Sequence, residues 1–250
     1  MPQEAARAAI VSPDFRTAAD SDDVWANFLP GDLPPLASGE ELDDASAPSL
    51  FKKKEMFLRL TDHPVLLANR ITSLRLDKKT SANMLWARAL HICGGDNPEL
   101  WRWIPLTDCS SRFSEGAELL RFSILVIEGR IRCGMLSKNT NYGAYIVFKD
   151  DAKCASQALP SALARLIEGP RRRFLPKRRA DGWMELEMAG FRVLEGDVGD
   201  VRLGLLQHRV NRIEGLIVQG IEIRPQVAGE AWFSCPPTPY TWLNPDLATI

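Results

Sequence analysis

The segment 182–188, GWMELEM, decides the fold class: Trp183, Glu185 and Glu187 alternate with Met184, Leu186 and Met188. A period of two places successive side chains on opposite faces of an extended strand, so this segment reads as a strand with one wet and one buried face. LRFSILVIEGRI (120–131) reads differently, because nearly every residue of 122–127 is apolar. Such a run describes a strand covered on both sides. Further short β-type runs follow the same grammar: YGAYIVFK (142–149), DVRLGLL (200–206) and GLIVQGIEIRP (215–225). Several strands at short spacing, separated by turn signals, predict a mainly β protein built as a jelly-roll-like β-sandwich rather than a βαβ fold.

One region interrupts the strands. Pro160, then Leu163, Leu166 and Ile167 on one side, then Gly169–Pro170, predict a short helix within 150–180. It is followed by RRRFLPKRR (171–179), six basic residues in nine. That run reads either as a solvated loop between strands or as a nuclear-import signal or anionic contact patch.

Upstream of residue 65 the sequence changes to helical patterns. Over residues 2–30, Ser21 is a candidate N-cap, Asp22 and Asp23 suit the positive end of the helix dipole, and Val24/Phe28 and Trp25/Leu29 stack at i,i+4. Pro30 and Gly31 stop that helix. The stretch GDLPPLASGEELDDASAP (31–48) is rich in Pro, Gly, Ser and acid and reads as a linker. Ser49 caps a second helix with Met56, Phe57 and Leu60 on one face, which His63–Pro64 ends. The sequence thus divides into helices at 1–32, a linker at 33–49, a sandwich at 50–226 and a tail at 227–250.

Charge supports two units with different surfaces. Residues 1–48 sum to −8 and the remainder to +7, although the whole chain is −1. A body at +7 falls short of a typical nucleic-acid-binding domain, and no nucleic-acid partner is expected. No apolar run approaches the roughly 18–20 residues needed to cross a bilayer, so no membrane partner is expected. The N-terminus carries no basic region followed by an apolar one, which places the expected compartment in the cytoplasm or nucleus. Five scattered cysteines without a C-x-x-C pair fit reduced thiols, and no metal or other cofactor is expected from the His91/Cys93 spacing or elsewhere. Metalloprotease, serine-hydrolase and nucleotide-binding signatures are missing, which argues against an enzyme. Glu185 and Glu187 share a strand face, a pairing that a wet face explains better than acid–base catalysis.

The segment MLWARALHICGGDNPELWRW (84–103) resembles the opening of the phloem protein 2 family, whose best-known sugar-binding members are the Nictaba-like lectins. Further blocks match in order: SRFSEGAELL (111–120), LSKNTNYGAYIVFK (136–149), DGWMELEMAGF (181–191) and EGLIVQGIEIRP (214–225). The resemblance implies a carbohydrate-binding sandwich for N-acetylglucosamine-type glycans or glycoproteins. Its site uses two tryptophans to stack on sugar rings and two acidic residues to hold hydroxyls. Carried over, the first tryptophan position is Gly94, the second is Trp101, and the acidic pair falls on Asp200 and Gln207. Losing one ring and one charge leaves an expected affinity of millimolar or worse, about −4 kcal/mol. A degenerate lectin domain that acts as a protein–protein interaction module is the alternative.

SPDFRTAADSDDVWANFLPGD (12–32) resembles the second half of the F-box found in F-box members of the same family. This implies docking on a Skp-type adaptor of a cullin-type ubiquitin ligase, through Phe15, Val24, Trp25, Phe28 and Leu29. The Leu-Pro start of the first F-box helix is not found in this sequence, from which weak adaptor binding is expected.

Overall fold

The computed structural model describes residues 2–37, 52–77, 80–107, 113–150, 163–165, 172–173, 176–213, 215–226 and 233–234. Four helices come first: α1 (Pro2–Ala8), α2 (Pro13–Asp20), α3 (Asp22–Ala26) and α4 (Lys52–Asp62). Strands β1 (Val65–Leu66), β2 (Thr72–Asp77), β3 (Thr80–Trp86), β4 (His91–Ile92) and β5 (Trp101–Pro105) follow. The middle of the chain supplies β6 (Glu115–Leu119), β7 (Phe122–Arg132), β8 (Thr140–Asp150), β9 (Leu163–Arg165) and β10 (Arg172–Arg173). The last strands are β11 (Lys177–Arg178), β12 (Met184–Val193), β13 (Asp200–Ile213), β14 (Leu216–Pro225) and β15 (Phe233–Ser234).

These strands form two sheets. The larger runs β1-β2-β3-β14-β8-β12-β11, with β15 on β12 and the β5–β6 hairpin attached to β14. The smaller runs β10-β9-β13-β7-β4. Alternation explains why they pack face to face. On β7, Leu125, Ile127 and Ile131 are buried while Glu128, Arg130 and Arg132 are exposed; on β13, Val201, Leu203 and Leu205 are buried. Facing them, the larger sheet contributes Leu85, Ile146, Leu186 and Ile221 to the same core. The sheets approach closely at Gly129, where a Cβ would stand 2.9 Å from Ile221 Cδ1 and 3.2 Å from Leu85 Cδ1. Each large side chain fully buried here contributes roughly 1.5–3 kcal/mol.

The mainly β sandwich preceded by short helices is therefore as expected, with local differences. Leu163–Arg165, expected within a helix, is a strand paired with Gly204–Leu206. The open edge of β13 supplies backbone partners there, and tertiary pairing overrides a short apolar periodicity. The rest of that expected helix lies outside the described residues. Strand β7 is covered on one face rather than two, because Val126 is half-buried and the outward positions beyond it are charged.

The helices are set by local capping. The Ser12 hydroxyl accepts from the Phe15 amide at 3.3 Å, with Pro13 opening α2. Ser21 precedes α3, but its hydroxyl donates back to the Ala18 carbonyl at 2.8 Å instead of capping. Helix α3 ends at Ala26, before the expected stop at Pro30. Helix α4 buries Phe57 and Leu60 and ends at Asp62, as the His63–Pro64 signal requires. Ser49 lies outside the described residues.

Residues 32–37, at the start of the expected linker, are held against the sandwich, and residues 38–49 of that linker lie outside the described residues. Leu36 bridges to Leu67, the Ala37 amide donates to the Leu66 carbonyl at 3.0 Å, and the Asp32 amide donates to the Gly134 carbonyl at 3.3 Å. Leu36 and Ala37 are buried. Trp25 of α3, Phe28 and Phe57 of α4 form one aromatic group, with centroid separations of 5.7, 5.2 and 6.0 Å.

Candidate functional site

Gly94 and Trp101 are brought together by the turns that link β4 to β5. The Gly95 amide donates to the Ile92 carbonyl at 2.9 Å, and the Asn97 amide to the Gly94 carbonyl at 2.9 Å. The Asn97 carbonyl then accepts from the amides of Leu100 at 3.0 Å and Trp101 at 2.9 Å. These turns surround an open depression of about 490 Å³, lined by residues 90–92 and 94–97. Gly94 takes φ +69°, a left-handed conformation that favours glycine, and a Cβ there would lie 2.9 Å from Leu100 Cδ1. Turn geometry, not merely the loss of a ring, therefore selects glycine at this position.

Trp101 does not present a stacking face. It is 2 % exposed, belongs to the main core, and its Nε1 donates to the Cys93 carbonyl at 3.2 Å. The resemblance implies a sugar ring stacked on it; in the structure the protein itself covers it. Trp103, two residues on, is half-buried, and the Arg88 guanidinium lies 3.6 Å from its ring centre.

Asp200 and Gln207 do not converge. They stand seven residues apart on β13, opposite Arg132 and Leu125 of β7 without a break in register. At the strand rise this separates their backbones by roughly 24 Å. The Gln207 backbone lies at the Gly94 end of the smaller sheet, since the Cys93 amide donates to the Val126 carbonyl beside Leu125. Asp200 lies at the opposite end, paired with Arg130.

The five adaptor-docking candidates also divide. Phe15 is 56 % exposed, and it is joined by Ile10 at 80 % and Val11 at 71 %. Trp25 is 4 % exposed, with its Nε1 donating to the Ala19 carbonyl at 2.7 Å. Val24, Phe28 and Leu29 pack against the same core. Four of the five residues thus face inward, toward α4 and the sandwich. The i,i+4 pattern was real, but its apolar face was used internally.

The outer face of the larger sheet carries a polar network that the residue pattern alone does not predict. Neighbouring strands align Glu187, Tyr145 and Glu222 in one row, and Glu185 and Arg224 project on the same side. Arg179 binds Asp181 at 3.1 Å, Glu185 at 3.0 Å and Glu222 at 2.5 Å. Arg224 binds Glu185 at 2.6 Å and stacks 3.8 Å from the Tyr145 ring centre. Burial alone would raise the Glu185 carboxyl, but Arg224 and then Arg179 outweigh it and hold the group below the usual carboxylate range. Burial, and then Glu187, push the Tyr145 phenol up to about 12. Both arginines are held more firmly charged than usual: burial opposes this, and Glu222 for Arg179 and Glu185 for Arg224 overcome it.

Comparison with known proteins bears on this arrangement. Residues 80–225 match the family model described as Phloem protein 2, which spans most of the sandwich. The chain is 35 % identical to F-box protein PP2-B10 of Arabidopsis thaliana, over 90 % of this chain and 88 % of that protein. It is 36 % identical to putative F-box protein PP2-B12 of Arabidopsis thaliana, over 90 % and 91 %. F-box protein VBF, also of Arabidopsis thaliana, is 31 % identical over 90 % and 94 %. The chain is an F-box protein of the phloem protein 2 family.

For this phloem protein 2 chain, the outer-face network corrects the wet-strand reading of 182–188. Trp183 is fully buried among Met84, Phe113 and Val147, and Lys149 Nζ sits 4.4 Å from its ring centre. Glu185 is clamped by two arginines rather than solvated. The signal was present as Arg179 and Arg224 in the sequence, but only the sheet register places those cations beside Glu185 and Glu222. Cys93 is half-buried and Cys133 buried, and neither is joined in a disulfide.

Proposed function

We propose that this protein is the substrate-recognition subunit of a Skp–cullin-type ubiquitin ligase, in which the helical segment docks the adaptor and the sandwich selects a target protein. The observation that carries the reading is the division of apolar residues on α1–α3. Trp25, Val24, Phe28 and Leu29 anchor the helices to the sandwich, leaving Ile10, Val11 and Phe15 exposed on α2 and the turn before it. Apolar side chains this exposed at one helix–turn–helix mark an interaction surface. The names of the relatives support the same role.

Within this reading, the sandwich acts as a protein-recognition module. The burial of Trp101, the strain that any side chain would meet at position 94, and the separation of Asp200 from Gln207 all favour it over binding of N-acetylglucosamine-type glycans.

The test is co-expression of the full chain with a plant Skp-type adaptor. The exposed Ile10, Val11 and Phe15 replace the weak binding expected from the sequence with an expectation of stoichiometric co-purification, and Ile10→Asp/Val11→Asp/Phe15→Asp should abolish it while leaving the melting temperature within a few degrees. Absence of co-purification by the native chain, or its persistence in the triple variant, would refute this docking surface.

A further inference from the structure

Ser12 stands between Ile10–Val11 and Phe15, the exposed apolar residues of the helical segment. Pro13 follows it, and a hydroxyl residue precedes a proline at one other place in the chain, Thr238–Pro239, which lies outside the described residues. The Ser12 backbone is extended, at φ −159° and ψ 166°, and the residue is only half-buried. As a helix start the pair is ordinary, because a proline in the first turn needs no amide partner. The capping bond from the Phe15 amide is long, however, at 3.3 Å against roughly 2.7–3.2 Å for a well-formed N–H···O bond.

Little else holds this turn closed. Pro13 through Ala18 are all exposed, and within α2 Ala19 alone is buried. Opening the first turn breaks the capping bond and those from the Arg16 amide to the Ser12 carbonyl and from the Thr17 hydroxyl to the Pro13 carbonyl. It uncovers no buried apolar side chain, so the turn belongs to the least stable part of the fold and opens locally. Arg16, one helical turn on, is exposed and has no acidic partner among the described residues. Its Nε donates to the Ala9 carbonyl at 3.2 Å, which folds the side chain back toward the start of α2. Asp14 is the one carboxylate in that first turn.

Resting on the ligase reading above, we propose that Ser12 is phosphorylated by a proline-directed protein kinase and that the modification closes the adaptor-docking surface. The step is phosphoryl transfer from ATP. The Ser12 hydroxyl oxygen bonds the γ-phosphorus as the bond to the ADP oxygen breaks, and the hydroxyl proton passes to the kinase's base. The product places about −1.5 to −2 charge at pH 7 between Val11 and Phe15. Arg16 offsets one of those charges at most. Covering Val11 and Phe15 with an apolar partner then strips water from a charged group, which a neutral interface does not compensate.

The experiment treats the purified full chain with a purified mitogen-activated protein kinase and magnesium ATP, locates phosphate by peptide mass mapping, and then measures adaptor co-purification. Ser12→Asn is the control, since asparagine keeps a capping oxygen and has no hydroxyl. The native chain is expected to take up phosphate at Ser12, and Pro13→Ala to do so at least tenfold more slowly. The phosphorylated chain should retain at least tenfold less adaptor at a melting temperature within a few degrees, and phosphatase should restore retention. Kinase-treated Ser12→Asn should retain adaptor in full. No phosphate at Ser12, equal uptake by Pro13→Ala, or equal adaptor retention before and after phosphorylation would overturn the proposal. Loss of adaptor by kinase-treated Ser12→Asn would place the effect at another residue and overturn it as well. Uptake at Ser12 by a chain that never associates with the adaptor would sink the ligase reading and leave the modification site standing.

Discussion

The rings of Trp25 and Phe57 lie 5.2 Å apart at an interplanar angle of 54°, joining helix α3 of the F-box segment to helix α4 at the base of the sandwich. Lys54, on the same helix as Phe57, places its ammonium 5.7 Å from the Trp25 ring centre and binds Asp20 at 2.5 Å. The helical segment and the sandwich are thus built around a shared core.

Trp25→Ala removes that aromatic contact and the hydrogen bond to Ala19. A large-to-small change of this kind costs about 3–5 kcal/mol. Because Trp25 shares a core with Leu67 and Leu85, calorimetry is expected to show one transition moved to lower temperature. Two transitions, with the later one unmoved, would show that the helices and the sandwich unfold independently.

Position 94 and Trp101 test the carbohydrate reading by stability as well as binding. A non-glycine residue in the left-handed region costs about 1–2 kcal/mol, and the Leu100 contact adds to it. Gly94→Trp is therefore expected to melt earlier and to gain no affinity for N-acetylglucosamine oligomers by titration calorimetry. Trp101→Ala is expected to cost about 3–5 kcal/mol through its cavity. Severalfold tighter sugar binding by Gly94→Trp at an unchanged melting temperature would restore the lectin site.

The outer-face network predicts two opposite pH limbs. The folded-state value of Glu185 is lowered, so its contribution is present above the ordinary glutamate value of about 4.3 and is lost as pH falls through the folded value. The Tyr145 value is raised, so its contribution is present below about 10 and is lost as pH rises toward about 12. Urea denaturation across this range should show Glu185→Gln flattening the acid limb and Tyr145→Phe the alkaline one. Unchanged limbs in both variants would remove the network from the pH dependence.

Much of the architecture was legible from periodicity. Strands such as Leu125–Arg132 and the helix carrying Phe57 and Leu60 follow from which positions are apolar, because burial on one face demands that spacing. Five collinear blocks also carry the resemblance to the family. Periodicity reports that a face is covered, however, not what covers it. Trp25, Phe28 and Leu29 form the apolar face that their spacing predicts, yet that face turns toward Phe57 rather than toward a partner. Trp101 sits where the resemblance implies a stacking ring, yet its burial in the core depends on residues brought to it by the fold. Glu185 reads as solvated because its neighbours in sequence are Met184 and Leu186, while its neighbours in space, Arg179 and Arg224, come from a hairpin turn and another strand. The sequence determined the elements and the family, since these depend on local pattern. The tertiary structure decided which apolar groups remain available and which charges are satisfied, because both depend on contacts between residues far apart in the chain.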